Sequence, residues 1–269
     1  METRILYVAE IIGKAGIQCV KTLLQELVSR YKCDFVFGCA DAATNGTGLG
    51  KQHAGYLHKL GLTVITGGDM SFYKKDMVES LDTTGYVLRP LNFPKDSPGK
   101  SCKICTAKNG KRVAVVSVLG YSGFSRIHAD NPFITVIDSV LAVKKETPLV
   151  LIDFHAATTA EKKAFGFYLD GKVSAIIGSH GRVQTADETV LSNGTAYITD
   201  AGRTGCQNSV GGTSPSVAIS EYLSGIPDWT RVDAPEPAVK PALQGVFVVV
   251  DDSGKAVSIE RINEPLYKE

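Results

Sequence analysis

Apolar and polar positions along the chain switch between two periods. Residues 4–9 form a compact apolar run that reads as a strand, and Val20, Leu23, Leu24 and Leu27 fall at helical spacing within 17–31. Residues 34–38 read as a second strand, 51–60 as a helix, 62–66 as a third strand and 74–81 as a helix. After the Pro/Gly-rich stretch LRPLNFPKDSPGK come two β runs, ICTA and RVAVVSVLG, joined by the turn dipeptide Asn109-Gly110, and then Pro132 opens a helix that runs to Lys145. The second half repeats this order. PLVLIDFHA is a strand, 159–169 a helix, VSAIIGSH and GTAYITDAG are strands, 216–223 centres a helix, and the tail folds back on an Asp-Ser-Gly turn. Buried strands alternating with helices, plus antiparallel hairpins, predict one α/β domain over 1–269, with a mixed sheet or two packed sheets covered by helices.

Composition narrows the function classes. With 29 basic against 28 acidic residues and no basic block, the formal charge is +1, which leaves no footprint for DNA or an anionic membrane. The N-terminal run is broken by charges and no segment reaches membrane-spanning length, so the expected setting is cytoplasmic. Six scattered cysteines fit a reducing compartment. Cys102 and Cys105 are a lone CxxC on a strand, with the two thiols expected on opposite faces. GTGLG does not continue into GxGxxG, and neither a phosphate-loop motif nor GxSxG is present. His53 and His58, five apart on a helix, read as surface residues. His128 lies in a loop within possible reach of the site.

Polar residues gather just past strand ends, where α/β folds place their chemistry. Glu10 follows the first strand, Asp41 the second and Asp69 the third, while the later strands offer Asp153, His155 and His180. Carboxylates and imidazoles suit a divalent cation such as manganese, iron or zinc. Each taken singly has an ordinary explanation. Glu10, Asp41 and Asp69 can cap helices or turns, and His155 can be a core histidine donating to Asp153 or a carbonyl. Five segments delivering such groups to one side is the stronger observation.

Longer motifs add a resemblance. DFHAATTAEKKAFGFYLDGKVSAIIGSH, VQTADE, GTAYITDAGRTG, RILYVAEIIGKAG and RPLNFPKDSPGK resemble, in order and nearly end to end, the motifs of the YmdB-like metallophosphoesterases. That resemblance implies a helix–sheet–sheet–helix sandwich with mixed sheets, two divalent metals at the strand ends, and hydrolysis of phosphodiesters including 2′,3′-cyclic nucleotides. Matched position by position, it implies metal ligands at Glu10, Asp41, Asp69, His155 and His180.

Several positions depart from the family pattern. Glu10 stands for an aspartate, Asp41 for a glutamate, Ala42 and Asp69 for asparagines, while Asn45 matches. Met70 stands for the histidine general acid, and Met70 has no proton to donate. Arg182 stands for a ligand histidine and Arg203 for a methionine. A guanidinium has no lone pair to give and keeps its charge, so Arg182 is expected to replace one metal by pairing with Asp69 or Asp41.

Three readings follow. In the first, one or two divalent metals, manganese or iron ahead of zinc, remain, and Arg182, Arg203 and Asn45 bind the phosphate of a nucleotide or other small molecule, with activity weakened or lost. In the second, the metals are gone and a pseudoenzyme binds a nucleotide or a protein partner, or assembles with itself. The third makes Cys39 a nucleophile, although burial explains Cys39 better.

Overall fold

The computed structural model describes residues 2–124, 128–228 and 240–267. One sheet holds β1 (Thr3–Val8), β2 (Glu10–Ile11), β3 (Phe35–Cys39), β4 (Val64–Thr66), β5 (Val87–Leu88), β12 (Arg203–Cys206), β13 (Pro241–Val250) and β14 (Ala256–Pro265). Its order is β2-β12-β13-β1-β3-β4-β5, with β14 paired along β13. The other sheet holds β6 (Cys102–Thr106), β7 (Arg112–Leu119), β8 (Leu149–His155), β9 (Ala175–Ser179), β10 (Thr189–Val190) and β11 (Ala196–Ile198), in the order β10-β11-β9-β8-β7-β6. Both sheets mix parallel and antiparallel pairs.

Strand alternation explains the layers. In β1, Ile5 and Tyr7 join Phe35 and Phe37 of β3 in a cluster shared with Val113, Val115, Leu149, Leu151 and Ile177 of the other sheet. Leu6 and Val8, with opposite parity, instead pack under α1 (Gly13–Arg30) and α2 (Lys51–Leu60). On the far side Val150, Ile152 and Phe154 meet α4 (Pro132–Lys144) and α5 (Thr159–Leu169). The result is the expected helix–sheet–sheet–helix sandwich with two mixed sheets. Because both faces of the central strands are covered, they read as continuous apolar runs.

Caps explain several boundaries. Asn131 accepts from Phe133 N ahead of Pro132 at the start of α4, and Thr158 accepts from Glu161 N at the start of α5. Cys102 and Cys105 do face opposite ways, one into the α4 side and one into the inter-sheet core.

Other boundaries move. Helix α1 begins at Gly13, ahead of the periodic residues. The helix expected over 74–81 is only α3 (Lys75–Val78); Ser80 O accepts from Thr83 N and Thr84 N, so a Ser/Thr turn takes over. In GTAYITDAG the strand ends at Ile198, since Thr199 N donates to Asp187 and Asp200 N to Thr185 Oγ1 instead of to a strand neighbour. The last helix is α6 (Pro215–Ser224). Among the described residues no helix is long and apolar enough to cross a membrane.

Candidate metal centre

The strand parity that builds the inter-sheet core carries polar groups to its upper end. Tyr7, Cys39, Thr66, Asp153, His155 and Ser179 continue the inward-facing rows of β1, β3, β4, β8 and β9, where the apolar filling stops. Asp153 is fully buried and takes hydrogen bonds from Tyr7 Oη (3.0 Å), Thr66 Oγ1 and Ser179 Oγ (2.6 Å). Burial pushes its carboxyl above the usual range against His155 and these three hydroxyls. Ser179 has one proton and aims it at Asp153, so its oxygen accepts from His155 Nδ1 at 3.0 Å. The relay Asp153–Ser179–His155 thus assigns the imidazole tautomer whose Nε2 lone pair points the other way.

In the neutral ring that lone pair faces the cluster, and in the charged ring Nε2 carries a proton there. His155 Nε2 lies 3.0 Å from Asp69 Oδ1 and 3.1 Å from His180 Nδ1, and His180 Nδ1 is 3.4 Å from Asp69 Oδ1. Metal–ligand bonds of about 2.1 Å place neighbouring donors ~3.0 Å apart in an octahedral shell and ~3.4 Å in a tetrahedral one, so this trio has the spacing of a cation shell. Asp41 Oδ2 stands 3.7 Å from His155 Nε2. Asp41 also braces the loop that carries Asp69, accepting from Gly68 N (2.6 Å) and Met70 N (2.9 Å). Gly68 is required there, because a Cβ would collide with the His155 ring.

The clustered carboxylates and imidazoles shift one another's protonation. Burial, opposed by His155 and reinforced by Asp69 and Glu10, pushes the Asp41 carboxyl up to about 7. Burial acts to lower His155, yet the Asp69 hydrogen bond and the Asp41 and Glu10 charges raise it to about 9. Asp69, despite its burial, is held well below the usual carboxylate range by hydrogen bonds from both histidines.

Other expected residues fall elsewhere. Arg182 pairs with neither Asp69 nor Asp41: its Nε and Nη2 donate to Glu10 Oε1 at 3.1 and 2.8 Å, and Nη1 to Gly211 O at 3.0 Å. The pairing follows from Glu10 sitting on β2 alongside Arg203 of β12, on the side of the cluster that the 180–182 loop reaches. Arg203 is no free phosphate binder, since its guanidinium is buried and donates to the carbonyls of Arg182, Cys206, Gln207 and Ser209. Asn45 is exposed at φ 55 in the Thr44–Gly48 turn, a conformation asparagine tolerates, and its position is explained by that turn. Met70 packs its side chain with Ile12 and Ala42. Cys39 is fully buried, 3.8 Å from His155 Nδ1, and burial pushes its thiol well up, away from nucleophilic character. His128 is exposed, as is His58, while His53 is half-buried against Thr44 Oγ1.

Sequence reasoning missed the supports. Ser179 is one, and the buried pair Lys162–Asp200 is another, at 2.6 Å with both side chains 3 % exposed. Asp200 Oδ2 also accepts from Gly181 N at 2.7 Å, clamping the residue between His180 and Arg182, which both hold left-handed backbone at φ 82 and φ 57. The TTAEKKAF pattern gave no sign that Lys162 turns inward.

Two packed mixed sheets covered by helices, with imidazoles and carboxylates converging at the strand ends, have the fold of the metallophosphoesterase class. The chain belongs to the YmdB-like family, whose model matches residues 6–262. A 2′,3′-cyclic-nucleotide 2′-phosphodiesterase of Bacillus subtilis is 36 % identical over 260 residues, spanning 96 % of each chain. The crystal structure of a phosphatase from Mycoplasma pneumoniae superposes with a TM-score of 0.89 at 29 % identity, covering 98 % of this chain and 94 % of that one. A hypothetical protein of Thermus thermophilus gives a TM-score of 0.87, also at 29 % identity, over 98 % of this chain and all of its own.

Proposed function

We propose that this chain is a metal-dependent phosphodiesterase acting on the phosphodiester bond of nucleotides of the 2′,3′-cyclic class, and that it turns over slowly. The observation that carries the reading is the trio of buried His155 with half-buried Asp69 and His180, their donors 3.0 to 3.4 Å apart and Asp41 beside them. The activity named for the Bacillus subtilis relative supports the substrate class.

A divalent cation held by Asp41, Asp69, His155 and His180 would polarise a phosphoryl oxygen and lower the pKa of a bound water. The chain's own groups do the rest. Ser179 and Asp153 orient His155. Asp41 fixes the 68–70 loop. Arg182 keeps two guanidinium N–H groups beyond those used on Glu10 and Gly211, enough to hold a phosphate. At Met70 there is a thioether wedged against Ile12 and Ala42 instead of an acid, so the leaving oxygen takes its proton from water. A positioned general acid is worth about 10²- to 10⁴-fold, which sets the expected loss of rate. A cytoplasmic setting accords with the six free thiols.

Met70 and the Arg182–Glu10 pair favour one second reading, a nucleotide-binding scaffold without turnover. Assays with a chromogenic phosphodiester and a 2′,3′-cyclic nucleotide, with manganese, separate the two. Slow manganese-dependent hydrolysis that Asp41→Asn abolishes supports the enzyme, whereas nucleotide binding without turnover supports the scaffold.

A further inference from the structure

Glu10 is the carboxylate that the cation trio does not use. It is fully buried, and both guanidinium bonds from Arg182 fall on its Oε1, leaving Oε2 without a hydrogen-bond partner among the described residues. Arg182 is held from every side. Glu10 and Gly211 O fix its guanidinium, and Arg203 Nη1 donates to its carbonyl at 2.6 Å. Its backbone sits at φ 57, next to the Asp200-clamped Gly181. Besides Glu10, the charges of Asp41 and Asp69 bear on this guanidinium, which makes it a fixed positive centre among three carboxylates.

Charge and coordination then point the same way. With neutral imidazoles, three carboxylates and one guanidinium leave two negative charges, which one divalent cation balances. A second cation beside Glu10 would lie against a guanidinium that stays protonated and has no lone pair to offer. The family resemblance implies two metals; the residues here fit one and oppose the other. We infer that Arg182, locked onto Glu10, is a built-in second cation: the chain binds a single divalent ion at Asp41, Asp69, His155 and His180, and the guanidinium contacts the substrate phosphate where a second ion would. This rests on the phosphodiesterase reading above. It adds that Arg182 is a catalytic residue and that the metal requirement is mononuclear.

The test counts manganese. Chelator-stripped protein is reloaded with Mn²⁺, dialysed to equilibrium and analysed for metal per chain, with electron paramagnetic resonance reporting spin-coupled ion pairs. Wild type should hold one Mn²⁺ with no coupled signal. Arg182→His, which frees Glu10 and supplies a nitrogen donor, should hold two and show the coupled signal. Glu10→Gln, isosteric and still able to accept from Arg182, should keep one Mn²⁺ per chain, held more weakly because one of the balancing negative charges is gone. Two ions per wild-type chain overturn the inference while leaving the phosphodiesterase reading intact. A folded Arg182→His protein that stays at one ion, or a folded Glu10→Gln protein that holds none, overturns it as well. No ion in wild type removes the metal-dependent reading and the inference with it.

Discussion

Ser179→Ala removes one hydroxyl and exposes how the centre is tuned. Ser179 is buried and mediates between Asp153 Oδ1 at 2.6 Å and His155 Nδ1 at 3.0 Å. Without it Nδ1 has, among the described residues, only the Cys39 sulfur at 3.8 Å, a poor acceptor, and Asp153 Oδ1 loses its Ser179 donor. Leaving a buried polar group unsatisfied costs about 1–3 kcal/mol. Two such groups, with some relaxation, give an expected destabilisation of about 2–4 kcal/mol. The effect on the cation is separate. With Nδ1 unanchored, the ring no longer prefers the tautomer that turns a lone pair on Nε2 toward Asp69, and loss of such a support typically weakens metal affinity about 10- to 100-fold. Urea unfolding of cation-free protein reads the first effect, and titration calorimetry with Mn²⁺ on folded protein the second. Ser179→Cys, which keeps a weak donor and acceptor, should fall between. A Kd within twofold of wild type in Ser179→Ala would refute the relay.

Met70→His restores a titratable donor beside Asp41 and should raise kcat about tenfold or more with little change in KM; an unchanged kcat means the proton already comes from another group. Lys162→Met strands Asp200 in a buried site, and breaking such a pair costs about 3–5 kcal/mol, read as a lower urea midpoint. Proton competition sets the pH dependence. His155, lifted to about 9 by the Asp69 hydrogen bond and the Asp41 and Glu10 charges, must lose its Nε2 proton to bind, so Mn²⁺ affinity should climb with pH and level off above that value. For cation-free protein the sign reverses: the raised His155 contributes stability that is complete below the ordinary imidazole value of 6.5 and fades as pH rises through about 9. Calorimetry and urea midpoints across pH 6 to 10 check both.

Much of the architecture could be read from periodicity, because strands covered on both faces and helices capped by Asn131 and Thr158 carry strong local signals. Short strands such as β2 and β12 escaped, since they are fixed by pairing with each other across the chain and not by local pattern. At the centre, Asp69, His155 and His180 were legible from strand ends and motif positions. The partner of Arg182 was not. Glu10, Asp41 and Asp69 are all carboxylates within its field, and only the three-dimensional course of the 180–182 loop selects one 172 residues away. Hydroxyl relays such as Ser179 leave no compositional trace, and Lys162 looks like any solvated helix lysine until its helix is docked.

The most direct measurement is anomalous diffraction from crystals soaked in Mn²⁺. One peak per chain within bonding distance of His155 Nε2, His180 Nδ1 and an Asp69 oxygen, with Arg182 still on Glu10, is the expected result. An absent peak, or a peak bonded to Glu10 with Arg182 displaced, would contradict it.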